Sequence, residues 1–214
     1  MPISHFHCRQ SGEFVMQLYT SPTSPFGRKV VITLFERGLL EQTEVIVMNA
    51  LDNPAALLQS NPLGKVPCLI TDDNQAIYDS PLICAWLDNF SGDRGLWAGH
   101  GKPHWERHKR QSLADGLMEA AFLLVMERKR PDAEQSTLWM ARWSDAIARG
   151  VAVLERDAEA IGQGGRVDQI AVGCALGYLD FRLPDLNWRS HAPRLTPWFA
   201  EYAQRPAMLA TQPS

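Results

Sequence analysis

Residues 24–39, SPFGRKVVITLFERGL, decide the fold of the first part of the chain. A serine followed by a proline predicts a helix start, since serine caps the first turn and proline fits the first helical position. Apolar residues then recur at helical spacing until Gly38, a typical helix stop. Residues 15–20, VMQLYT, precede this helix with the alternation of a strand. Together the two segments predict a strand that runs directly into a helix.

Strand and helix patterns continue to alternate up to residue 90. The sequence predicts a strand at 43–48, a short helix at 53–60, strands at 66–71 and 75–78 joined by a hairpin turn, and a helix from Ser80, taken as its N-cap, to about residue 90. The resulting order β-α-β-α-β-β-α is typical of a mixed sheet covered by helices. An α/β fold is therefore expected for the first part of the chain.

The second half has helical patterns only. Apolar faces mark helices around residues 113–124 and 143–154, an apolar segment at 170–179 predicts a buried central helix, and 193–203 predict a final short helix. Gly165 is the expected N-cap of the helix that contains Asp168. These patterns predict an all-α bundle.

Composition shifts divide the chain into segments. We expect an N-terminal tail at 1–14, an α/β domain at 15–91, a glycine-rich linker at 92–101 and an all-α domain at 102–214. Met16 begins a clean strand pattern, so the residues before it are interpreted as a tail or as an upstream extension of the reading frame.

Composition and charge exclude several classes of function. The formal net charge of −3 gives no electrostatic bias toward nucleic acid. The sequence contains neither an apolar run of about 18 residues that could cross a membrane nor a signal-peptide pattern, so a cytoplasmic protein is expected. Cys8, Cys68, Cys84 and Cys174 form no Cys-x-x-Cys pair, which favours reduced thiols. His5, His7 and Cys8 could be metal ligands, but the other histidines lack the spacing of a structural zinc site, and no metal is expected.

Three short segments of the α/β domain are candidates for chemistry. Ser24 lies at a predicted helix N-terminus, where unpaired N–H groups and partial positive charge stabilise an anion such as a thiolate. A plain N-cap would look the same in the sequence. Val66-Pro67, if cis, would turn the Val66 backbone outward to pair with an extended peptide-like ligand, although proline also simply begins strands. Asp79-Ser80 could hold the ammonium and carboxylate of an amino acid, or merely cap a helix.

The three segments in this order are more specific than any one of them. SPFGRKVVITLFERGL, NPLGKVPCLI (61–70) and DSPLICAWL (79–87), set in an α/β domain followed by an α-bundle, resemble the glutathione S-transferase superfamily. The resemblance extends from about Met16 to Pro206. It implies a thioredoxin-like N-terminal domain, a helical C-terminal domain and a bacterial, serine-type subclass.

The resemblance also implies roles for individual residues. Ser24 falls on the thiol-activating position and Phe26 lines the same site. The resemblance assigns Val66 to the cysteinyl backbone of glutathione, with Pro67 as the cis proline. It assigns Asp79 and Ser80 to the γ-glutamyl end, and Lys65 to the glycyl carboxylate. Glutathione would be a co-substrate, its thiolate attacking a small electrophile in a detoxification reaction, and the protein would be a homodimer.

Alternatives remain open on the sequence alone. Tyr19 or Ser21 could donate to the thiol in place of Ser24. A cysteine-dependent thiol reductase is disfavoured because serine occupies the position where a cysteine would be needed. A catalytically weak glutathione-binding or interaction module with the same fold is the other alternative to an enzyme.

Overall fold

The computed structural model describes residues 15–92, 95–96 and 100–213. The predicted tail at 1–14, with the candidate ligands His5, His7 and Cys8, lies outside the described residues, as do 93–94 and 97–99 of the predicted linker. The described residues form two compact units. The first contains residues up to 96 together with residues 206–213, and the second contains residues 100–205.

The first unit contains the predicted α/β fold. Its elements are β1 (Met16–Thr20), α1 (Pro25–Glu36), β2 (Thr43–Val47), α2 (Ala55–Ser60), β3 (Cys68–Ile70), β4 (Ala76–Ile77) and α3 (Ser80–Phe90). The strands lie in the order β2-β1-β3-β4, with β1 and β2 parallel and the other two pairs antiparallel. This mixed sheet with its helices confirms the thioredoxin-like fold class. β3 is shorter than predicted and begins after Pro67, which has no N–H for the strand ladder.

The end of the chain returns to the first unit. The sequence pattern assigned residues 102–214 to the helical domain, but α9 (Pro206–Ala210) packs against α1. Arg28 on α1 is almost fully buried and donates to the Met208 carbonyl at 2.9 Å and to Thr211 Oγ1 at 3.2 Å. Since a buried guanidinium must find acceptors, these two bonds fasten the last helix to α1.

The second unit is the predicted all-α bundle. Its helices are α4 (Gly101–Arg128), α5 (Thr137–Arg156), α6 (Ala158–Ile161), α7 (Val167–Arg182) and α8 (Leu195–Tyr202). α7 is buried along nearly its whole length between its neighbours, as its apolar sequence predicted. α4 begins at Gly101, inside the segment predicted as linker. None of the described helices combines the length and apolar character needed to cross a bilayer.

The start of α7 differs from the sequence prediction. Arg166 is the N-cap, and Gln169 Oε1 accepts a hydrogen bond from its N–H at 2.9 Å, so the prediction of Gly165 as N-cap was wrong. Asp168 is fully buried and pairs with Arg110 of α4, whose Nη1 lies 2.5 Å from Asp168 Oδ2. Arg166 Nε lies 3.3 Å from the other carboxylate oxygen. The pair with Arg110 therefore joins α4 to the first turn of α7.

Candidate functional site

One end of the sheet collects the three predicted segments. In the antiparallel pair of β1 and β3, Tyr19 lies opposite Cys68, so the loop after β1 meets the residues that precede β3. In the next pair Leu69 lies opposite Ile77, so the residues after β4 reach the same end. The segments that hold Ser24, Val66-Pro67 and Asp79-Ser80 therefore share one end of the sheet because of strand direction and register.

Ser24 is the N-cap of α1, as predicted. Its backbone is extended (φ −79°, ψ 120°) and its Oγ accepts a hydrogen bond from the Gly27 N–H at 3.1 Å. A hydroxyl carries one donor besides its acceptor lone pairs, so this bond leaves the Ser24 O–H available to donate. Among the described residues, no hydrogen bond uses the Phe26 N–H either. Two donors at a helix N-terminus are thus available to an anion.

Ser24 differs from the other two candidate hydroxyls, those of Tyr19 and Ser21, in its position at the start of α1. Side chains along β1 alternate between the two faces of the sheet, and Thr20 faces the first turn of α1. Tyr19 therefore points to the opposite face. Ser21 precedes the helix start, and its Oγ lies 3.4 Å from Thr23 Oγ1. Only Ser24 combines the cap position with a contact to the first turn.

The Val66–Pro67 peptide bond is cis, in agreement with the prediction. Val66 is half-buried, and in the part of the chain that the structure describes neither its N–H nor its C=O forms a hydrogen bond. A backbone with unpaired donor and acceptor, next to the start of a strand, can add an extended peptide-like ligand. Pro67 itself is buried.

Lys65 lies just before this edge with its side chain exposed. Asn61, which the sequence analysis treated only as part of a turn, holds the loop: its Nδ2 donates to the Lys65 carbonyl at 2.8 Å and its Oδ1 accepts from the Leu63 N–H at 3.0 Å. Gly64 takes a positive φ of 61° within the same turn. The sequence signal for this scaffold was the Asn-Pro-Leu-Gly turn.

The start of α3 is displaced by one residue from the prediction. Ser80 is the first residue of α3 and not its N-cap, because Asp79 occupies the cap position. The Asp79 side chain is exposed and accepts no bond from the helix. Ser80 is 1% exposed, and its Oγ finds no hydrogen-bond partner among the described residues. The exposed carboxylate of Asp79 suits an ammonium group. The buried hydroxyl of Ser80, at a helix N-terminus, suits a carboxylate.

The cysteines of the described residues are poor nucleophiles. Cys68, Cys84 and Cys174 form no disulfide and are buried. Burial raises the pKa of Cys68 to about 11, which leaves it protonated at neutral pH. Within the described residues no group of three or more histidine, cysteine or acidic side chains is arranged to hold a metal ion.

A thioredoxin-like unit followed in the chain by a helical bundle, with the N-terminus of α1 beside an open strand edge, agrees with the glutathione S-transferase-like architecture that the sequence indicates. Comparisons with known proteins agree. The family model for the N-terminal domain of glutathione S-transferase matches residues 23–89. The uncharacterised GST-like protein YibF of Escherichia coli (strain K12) is 34% identical over 202 residues, covering 92% of this chain and 98% of YibF. The chain belongs to the glutathione S-transferase superfamily.

Solved structures give the same result. A glutathione transferase family member from Pseudomonas fluorescens Pf-5, with bound glutathione, superimposes with a TM-score of 0.89 at 39% identity, covering 93% of this chain and 99% of that one. A glutathione S-transferase from Methylobacillus flagellatus, also with glutathione bound, gives a TM-score of 0.86 at 30% identity, covering 93% and 100%.

Proposed function

We propose that the protein binds glutathione at this end of the sheet and presents its thiolate to a small electrophile. The observation that carries the proposal is the Ser24 hydroxyl, fixed as the N-cap of α1 with its proton free, at the sheet end that also holds the open Val66 edge and the Asp79-Ser80 helix start. Two similar solved structures contain bound glutathione, which supports the proposal. In this proposal glutathione is a co-substrate, and no metal takes part.

Each part of glutathione has a matching group. The cysteinyl backbone pairs with the N–H and C=O of Val66 beside cis-Pro67. The γ-glutamyl ammonium is bound by the exposed carboxylate of Asp79, and its carboxylate by the hydroxyl of Ser80. The glycyl carboxylate is bound by the ammonium of Lys65. The sulfur then lies at the start of α1, against Ser24, with Phe26 beside it.

The chemical role of Ser24 is to stabilise negative charge on sulfur. A charge-assisted hydrogen bond contributes about 1.5–3 kcal/mol, and one pKa unit corresponds to about 1.4 kcal/mol. Because the bond favours the charged form, it lowers the thiol pKa from about 8.5 by roughly 1–2 units. Thiolate is then abundant at neutral pH. Its sulfur forms the new bond to the electrophilic carbon while the bond from that carbon to its leaving group breaks, and the leaving group departs with that electron pair.

Ser24→Ala is expected to raise the pKa of the thiol of bound glutathione by roughly 1–2 units. The ultraviolet absorbance of the thiolate, titrated against pH in the complex, measures this directly. Conjugation of a generic electrophile should slow at neutral pH and recover as the pH rises above the new pKa.

Tyr19→Phe and Ser21→Ala are the matched controls for this titration, and both should keep the parent pKa. An unchanged pKa in Ser24→Ala would remove the assignment, and a shift confined to Tyr19→Phe would transfer the role to Tyr19. Tight binding of glutathione with no turnover of any electrophile in the parent protein would identify a binding module instead of an enzyme.

Asp79→Asn and Ser80→Ala are expected to weaken glutathione binding by about 10–100-fold each, since each removes one charge-assisted hydrogen bond of about 1.5–3 kcal/mol. The thiol pKa of the complex, once saturated, should remain that of the parent. Calorimetric titration gives the affinity. Glu41→Gln is the control, because it removes an exposed acid at the opposite end of the sheet. Glu41 precedes Gln42, whose carbonyl accepts from the Val15 N–H at the start of β1. This variant should bind glutathione as tightly as the parent protein does.

The homodimer, which the resemblance to the superfamily implies, and the cytoplasmic location, which the sequence pattern leads us to expect, also belong to the proposal. Light scattering on the purified protein tests the first, with twice the mass of one chain as the expected result.

A further inference from the structure

The end of β1 and the first turn of α1 meet through Thr20 and Gly27. Thr20 is 4% exposed, and its Oγ1 has no hydrogen-bond partner in the described part of the chain. A β-carbon built on Gly27 would lie 2.1 Å from that oxygen, which no real contact allows. Gly27 has no positive φ, so its backbone conformation does not call for glycine. The absence of a side chain is what lets the helix start lie this close to the strand.

The same glycine holds the side chain of Ser24. The N–H that donates to Ser24 Oγ at 3.1 Å belongs to Gly27. The Ser24 β-carbon lies 3.4 Å from the place a Gly27 β-carbon would occupy. A displacement of Gly27 away from Thr20 therefore moves the donor that orients the Ser24 hydroxyl.

We propose that Thr20 and Gly27 are positioning residues for the thiol-activating hydroxyl: the contact of Thr20 Oγ1 with the bare α-carbon of Gly27 sets where Ser24 points. This inference rests on the proposed role of Ser24. Thr20 is assigned no contact with glutathione, and it acts through Gly27.

Gly27→Ala is expected to raise the thiol pKa of bound glutathione by roughly 0.5–1 unit, a smaller rise than Ser24→Ala produces, because the donor to Ser24 is displaced and not removed. The measurement is the same thiolate titration. A pKa readout is chosen because a purely structural role would lower the melting temperature and leave this pKa in place.

Two double variants test whether Thr20 Oγ1 is the atom that displaces the new side chain in Gly27→Ala and so raises the thiol pKa. Thr20→Ala with Gly27→Ala removes Oγ1 and opens room for the new methyl group, so the thiol pKa should return to the parent value. Thr20→Ser with Gly27→Ala retains an oxygen at that position and should keep the raised pKa. If Gly27→Ala alone gives no folded protein, Thr20→Ala with Gly27→Ala carries the test: it should fold with the parent thiol pKa, and a raised pKa in that variant would overturn the inference.

Two glycines of the helical unit serve as controls. A β-carbon on Gly116, inside α4, meets nothing within 4 Å, so Gly116→Ala should raise the melting temperature slightly and leave the thiol pKa unchanged. A β-carbon on Gly150 would lie 2.5 Å from Leu117 Cδ2, so Gly150→Ala should lower the melting temperature yet keep the thiol pKa. The controls therefore distinguish a loss of protein stability, seen in the melting temperature, from a displaced Ser24 hydroxyl, seen in the thiol pKa.

A folded Gly27→Ala protein with the parent thiol pKa would overturn the inference, as would equal restoration by the two double variants. A failure of the proposed role of Ser24 would give a different result, namely an unchanged thiol pKa in Ser24→Ala itself.

Discussion

Asp168→Asn is expected to lower the free energy of unfolding by about 3–5 kcal/mol. The substitution keeps the size of the side chain and removes its charge, so the guanidinium of Arg110 remains 7% exposed with no opposite charge at 2.5 Å. A buried charge without its partner carries the full penalty of desolvation. Urea unfolding followed by circular dichroism measures the loss.

Asp185→Asn is the matched control for Asp168→Asn. Asp185 also pairs with an arginine, Arg128, but the two side chains are 57% and 38% exposed. Ion pairs of this kind contribute about 0–1 kcal/mol, since water solvates both partners. A loss for Asp168→Asn no larger than that of Asp185→Asn would contradict the interpretation.

A second variant tests whether the penalty comes from the unpaired charge. Replacing Arg110 with methionine and Asp168 with leucine together leaves no buried charge at this position. The double variant should therefore lose much less stability than Asp168→Asn. Arg166, 29% exposed, can turn toward solvent when the carboxylate is absent.

Ser24→Cys is expected to give a disulfide reductase. A thiol at this position replaces the hydroxyl that accepts from Gly27 N–H, at the positive end of α1. Both effects favour the thiolate, so the introduced thiol should have a pKa well below the ordinary 8.5. Its thiolate attacks the glutathione sulfur of a disulfide between glutathione and a second thiol, forms a mixed disulfide with glutathione and releases the second thiol as its thiolate. A further glutathione thiolate then attacks the mixed disulfide, restores the introduced thiolate and leaves as oxidised glutathione.

Mass spectrometry of the trapped mixed disulfide and a reductase assay check this result. The parent protein should show weak or absent reductase activity, because the three cysteines among its described residues are buried. Ser21→Cys places a thiol in the same loop before the helix start, and its pKa should stay ordinary. Equal pKa values for the two introduced thiols would refute the role assigned to the start of α1.

The local features of this fold could be predicted from the sequence. The Ser-Pro pair at residues 24–25 specified a cap and a helix start because both effects involve neighbouring residues only. Ser80-Pro81 gave the same signal, yet Asp79 took the cap position and Ser80 the first helical position. A one-residue difference of this kind arises because serine and aspartate are both good caps, and the surrounding fold decides between them.

Features that depend on distant residues could not be predicted. The contact of Thr20 with Gly27 requires the closeness of β1 to α1, and the pairing of Arg110 with Asp168 joins two helices far apart in sequence. The packing of α9 on α1 likewise depends on Arg28 finding acceptors near the other end of the chain. The sequence contains the charged residues, but their partners are defined only by tertiary structure.

The attachment of α9 to α1 bears on how the protein is synthesised. Helix α1 emerges from the ribosome early, whereas Met208 and Thr211, two acceptors for its buried Arg28, are made after the helical bundle. Until then these two acceptors are absent, so the contact between α9 and α1 forms only after residues 100–205 have been made. The packing of α9 against α1 is therefore one of the last contacts that the first unit gains during synthesis.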